Sequence, residues 1–121
     1  MTFEGSKNAL PADAKAACLK SAENYQAPQP HTIHLPGRGG WAALNMAVDN
    51  FVANGMASPH DSVVARHLAT VLTGGDCDIN DEISEQNLLD LEHAVFMELI
   101  RHPHTLDRIE HMLLTGKPLR N

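Results

Sequence analysis

The segment Ser58-Pro59-His60-Asp61-Ser62-Val63-Val64-Ala65-Arg66-His67-Leu68-Ala69-Thr70-Val71-Leu72-Thr73-Gly74-Gly75 decides the fold. A serine supplies the side-chain acceptor that a helix start needs, proline tolerates the first helical position, and an aspartate three residues after the cap meets the positive end of the helix dipole. Val64, Leu68, Val71 and Leu72 then recur at steps of three and four, which places them on one inward face. Gly74-Gly75 is a helix stop, because glycine adopts the left-handed conformation that closes the last turn.

The same grammar extends in both directions. Upstream, Trp41, Leu44, Val48, Phe51 and Val52 mark the apolar face of a helix ending near Gly55. Downstream, Ser84 caps a helix with Leu88, Leu91, Val95, Phe96 and Leu99 on its inward side. Pro103 interrupts that pattern, and a last helix carries Leu106, Ile109, Met112 and Leu113 inward before Gly116 and Pro118 stop it. Near the start, Pro11 followed by Ala12, Ala14, Ala16, Ala17 and Leu19 predicts a helix to about Asn24.

Between the first two helices, Pro28, Pro30 and Pro36 forbid a helix. Thr32-Ile33-His34-Leu35 alternates as one short strand, and with no partner strand evident the expectation is an extended strap across the helices. The sequence therefore predicts an all-α fold: a frayed start over 1–9, then a single helical domain over 10–121 with about five helices and a Pro/Gly-rich strap over 25–40.

Composition sets the outer limits of function. Nine Lys and Arg against fifteen Asp and Glu give a net charge of −6, which argues against nucleic acid and anionic membrane as partners. No apolar run approaches the roughly 20 residues of a membrane span, and residues 1–20 lack a basic start followed by an apolar stretch, so the expectation is a cytoplasmic protein. Cys18 and Cys77 are read as reduced thiols without a local sign of activation.

Three constellations carry chemistry that can be weighed. Asp76, Asp78, Asn80, Ile83 and Ser84 fall on positions 1, 3, 5, 8 and 9 of a calcium-binding EF-hand loop. The imitation fails where glycine should stand at Asp81 and where a bidentate glutamate should stand at Asn87, leaving a solvated acidic loop. Eight histidines, with His31/His34 and His102/His104 as close pairs, present no spacing diagnostic of a metal site, and none is assigned. His67, His93 and His111 read as polar-face or boundary residues of separate helices.

Pro36-Gly37-Arg38-Gly39-Gly40 opens a helix, so the free N–H groups of Gly37, Arg38, Gly39 and Gly40 with the guanidinium form a candidate anion site. It matches neither a dinucleotide fingerprint nor a Walker A loop, and its alternative role is a tight turn anchored by Trp41. Ser58, Ser62 and Ser84 are cap or surface residues, and the pairs Asp90/Glu92 and Asp107/Glu110 lie on helix surfaces. No catalytic residue is assigned.

Leu35-Pro36-Gly37-Arg38-Gly39-Gly40, Ser58-Pro59-His60-Asp61, Leu72-Thr73-Gly74-Gly75 and the run from Leu88 to Asn121 together resemble the C-terminal region of the long multifunctional 3-hydroxyacyl-CoA dehydrogenases of fatty-acid β-oxidation. The resemblance covers roughly residues 35–121, and Thr115-Gly116-Lys117-Pro118-Leu119-Arg120-Asn121 is its most specific part.

The resemblance implies a parent enzyme that oxidises a 3-hydroxyacyl-CoA to a 3-oxoacyl-CoA with NAD, beside enoyl-CoA hydratase activity. This segment would carry neither cofactor and would pack against the preceding hydratase or dehydrogenase domains or a second subunit, bordering a CoA site. Lys117, Pro118, Leu119, Arg120 and Asn121 are the expected interface residues. Two alternatives stand beside it: an independent helical protein-interaction module, and a small anion or CoA binder using the Gly37–Gly40 loop.

Overall fold

The computed structural model describes residues 9–121, so the expected fray over 1–9 lies outside the described residues apart from Ala9, which begins a helix. Among the described residues there are five α-helices: α1 (Ala9–Ala22), α2 (Gly37–Ala53), α3 (Pro59–Thr73), α4 (Glu85–Leu99) and α5 (Pro103–Thr115). The all-α expectation holds. The cap signals operate as expected. Ser58 accepts from the Asp61 N–H while Asp61 accepts from the Ser58 N–H, and Ser84 and Asn87 form the equivalent box on α4. Gly74 and Gly116 close α3 and α5 in the left-handed conformation.

Two expectations need correction. The strap ends at Pro36, not at Gly40, because Gly37–Gly40 form the first turn of α2. Thr32–Ile33 (β1) also has a strand partner: it pairs antiparallel with Ile83–Ser84 (β2), in the register Thr32 with Ser84 and Ile33 with Ile83. The partner escaped notice because two residues are too few to show alternation, and the pairing spans about fifty residues of chain.

α3 is the central element and packs on α2 at one side and α4 at the other. Ala69, Thr73, Cys77, Ile83 and Gly37 are buried around its C-terminal end, and His60 is buried at its start. Gly37 has φ 60°, and its Arg38 neighbour donates its N–H to the Cys77 carbonyl at 3.1 Å. A Cβ on Gly37 would stand 2.2 Å from that carbonyl oxygen. Gly74 is similarly enclosed, with Ile83 Cδ1 and Cys77 Sγ under 3 Å from where its Cβ would be. Trp41 ties α2 to α3 by donating Nε1–H to Thr70 Oγ1 at 3.1 Å. Buried Asn45 extends that seam, donating to the Trp41 carbonyl and accepting from Arg66.

The inward faces read from periodicity are only partly covered. Val64, Val71, Leu88, Leu91, Val95 and Leu99 are half-buried, whereas Leu68, Leu72, Phe96 and the four α5 positions Leu106, Ile109, Met112 and Leu113 are exposed. Periodicity identifies an apolar face without identifying its cover, and among the described residues nothing lies over these positions. α1 is exposed throughout residues 10–22 and shows no apolar stripe.

Gly37→Ala is expected to lower unfolding stability by roughly 2 kcal/mol or more, because it combines a left-handed φ with a backbone clash. Gly55→Ala, with φ 69° but open space around it, should cost about 1 kcal/mol. Urea unfolding of the two variants checks the ranking.

Candidate functional site

Within the Gly37–Gly40 turn, the Arg38 and Gly40 N–H groups and the Arg38 guanidinium have partners in the chain. The Arg38 guanidinium faces Asp76 at 3.1 Å, its N–H is given to Cys77, and Gly40 leaves room for Pro36 and Thr73 where a side chain would otherwise stand. Arg38 and Asp76 are both strongly exposed, so the pair is solvent-screened. With Trp41, Thr70 and Gly75 they border a shallow hollow of about 270 Å³.

In the acidic loop, Asp78 accepts from the Asn80 backbone and side-chain N–H groups, and Asp81 accepts from the Asp78 N–H. These bonds shape the turn that delivers Ile83 to the core and Ser84 to its capping position. Among the described residues no group of three or more His, Cys, Asp or Glu side chains is placed to hold a metal ion.

The histidines show an association that spacing did not reveal. His102 and His104 flank Pro103, and their rings lie 4.6 and 5.7 Å from the ring of His60 on α3. His60 is 2% exposed; its Nε2 meets Thr105 Oγ1 at 2.9 Å, and its Nδ1 has no hydrogen-bond partner among the described residues. Burial chiefly, and then the Arg108 guanidinium and the two neighbouring rings, hold its pKa below the ordinary 6.5, against an opposing pull from Asp61. His67 bonds the Val63 carbonyl and pairs with Glu98 at 3.3 Å.

Arg108 is the hub beside this cluster. It reaches Asp61 at 2.9 Å, Ser58 Oγ at 3.1 Å and Asn121 Oδ1 at 2.7 Å. The Asn121 main-chain oxygen accepts from the His60 N–H at 3.2 Å, its side-chain amide donates to the His104 carbonyl, and Arg120 donates to the Met56 carbonyl. The tail thus acquires an intramolecular role that the sequence did not supply: Arg120 and Asn121 tie the end of α5 to the start of α3, while Lys117 and Pro118 stay exposed. The Asp61 carboxyl is lowered to about 2, first by the Ser58 N–H it accepts and then by the Ser58 hydroxyl and Arg108, with burial opposing.

An apolar concavity lies between α3 and α4. It encloses about 610 Å³ and is lined by Val64, Leu68 and Val71 from α3 and by Leu89, Phe96 and Leu99 from α4, with Glu92 and His93 among its other residues. Leu68 and Phe96 are 55% and 57% exposed. Nothing in this lining can act as a nucleophile paired with a base; its chemistry is that of a surface waiting to be covered.

Over 97 residues, 80% of its length, the chain is 35% identical to a probable 3-hydroxyacyl-CoA dehydrogenase of Bacillus subtilis (strain 168). The resemblance expected from the motifs is therefore shown, to a protein of which the matched part makes up 12%. No family model and no solved structure matches the chain. No helix among the described residues is long and apolar enough to cross a membrane.

The His60 and Asp61 shifts set an acid limit on stability. Below about pH 6.5 the unfolded chain binds a proton that buried His60 resists, so stability is full above that pH and falls as pH drops through it. The Asp61 contribution is present above its unfolded value of 3.8 and disappears as pH falls towards about 2. Thermal melts between pH 5 and 8 should show a declining midpoint below pH 6.5, and His60→Phe should flatten that decline. Arg108→Ala is expected to cost about 1–2 kcal/mol in urea unfolding at pH 7, a value moderated by the partial exposure of the pair.

Proposed function

We propose that the chain is a non-catalytic helical part of a 3-hydroxyacyl-CoA dehydrogenase and serves packing or assembly of that enzyme. In this reading the parent oxidises 3-hydroxyacyl-CoA with NAD, serves β-oxidation with enoyl-CoA hydratase activity beside it, and works in the cytoplasm. The similarity over four-fifths of the chain supports the origin. The observation that carries the packing role is the amount of surface left open. On α3, α4 and α5, Leu68, Leu72, Phe96, Leu113 and Leu114 are 55–81% exposed. An apolar face left open in this way fits a unit whose core is completed by a larger body.

The same open face fits the alternative of an independent module that binds another protein, and one experiment separates the two. Deleting the matched segment from the Bacillus subtilis relative should lower its thermal midpoint by several degrees, and replacing that segment with this chain should restore it. The isolated chain should reduce no NAD with a 3-hydroxyacyl-CoA. A deletion with unchanged midpoint and activity would remove the packing role and favour the independent module.

A further inference from the structure

Resting on the reading above, the geometry points to the α3–α4 groove as the seat of an apolar helix from the remaining part of the dehydrogenase polypeptide. Three observations select this occupant. The groove walls are ridges: Val64, Leu68 and Val71 stand at i, i+4 and i+7 on α3, and Leu89 and Phe96 stand seven apart on α4. Parallel rows at these spacings accept the side chains of a third helix, and an open trough of about 610 Å³ has the form of a helix seat more than of an enclosed small-molecule cavity.

The match also occupies 12% of its relative, so most of that protein lies outside the matched part and can supply the occupant. Charge adds a direction. Glu92 is the single carboxylate in the groove lining, on a chain of net charge −6, so the entering helix should be apolar on one face and carry a Lys or Arg where it passes Glu92.

The test reads side-chain cover directly by thiol labelling. Leu68→Cys and Phe96→Cys are placed in a Cys18→Ser background, with Leu89→Cys as a second groove position should either fail to fold. Met46→Cys on α2 and Leu113→Cys on α5, 70% and 81% exposed and outside the groove, serve as comparisons. Maleimide modification is followed by mass spectrometry in the isolated chain and in the full-length dehydrogenase carrying this chain in place of its matched segment. The expected result is modification at least tenfold slower at residues 68 and 96 in the full-length protein.

Equal rates at those residues, with Met46→Cys or Leu113→Cys protected instead, would overturn the groove assignment and leave the packing reading intact. Equal rates at every position would overturn both. Protection of residues 68 and 96 that appears in the isolated chain as its concentration rises would assign the groove to a second copy and overturn the proposed occupant.

Discussion

The contact of Gly37 with the Cys77 carbonyl holds the architecture together. One backbone hydrogen bond, from Arg38 to Cys77, joins the end of the strap, the first turn of α2 and the loop leaving α3. It forms only because Gly37 has neither a side chain nor a penalty for positive φ. Once this joint closes, Cys77 and Ile83 are carried inward, Ile33 and Ile83 pair, and Ser84 is delivered to cap α4. α4 then packs on α3 with Leu68, Leu89 and Phe96 left exposed. The groove is a product of a tight joint at one end and no cover at the other.

The second fastening lies at the opposite end of α3 and is polar. α5 is held to α3 by Arg108, Asp61, Ser58, His60 and Asn121, while its own apolar face is exposed. Hydrogen bonds of this kind give orientation and modest free energy, each net of the water contacts they replace. A helix attached in this way is positioned without being buried. Leu106, Ile109, Met112 and Leu113 stay open to solvent while the polar ties fix where the helix lies.

Much of the fold was legible because it is encoded locally. The Ser58, Ser84 and Pro103 starts and the Gly74 and Gly116 stops each depend on neighbours within four residues, and they mark α3, α4 and α5. The features that escaped are all distant in sequence. Ile33 with Ile83, Arg108 with Ser58, and His60 with Thr105 are separated by about 45 to 50 residues, and no local spacing announces them. The candidate surface was half legible. Leu68, Phe96 and the α5 residues were recognised as one-sided apolar positions, but periodicity treats a face covered by its own chain and one covered by another protein alike. The resemblance in the motifs was legible because those runs are specific, and the tail Arg120-Asn121 proved to be specific for an internal tie as well.

The unequal burial of the two thiols turns the end of α3 into a clock. Cys18 is exposed on α1, whereas the Cys77 Sγ is buried and donates to the Thr73 carbonyl. Reagents reach the first at the rate of ordinary solvent chemistry and reach the second only when the turn after α3 opens around Thr73 and Gly74. The ratio of the two reaction rates therefore measures how often that turn opens under native conditions, a quantity that melting of the chain as a unit does not resolve.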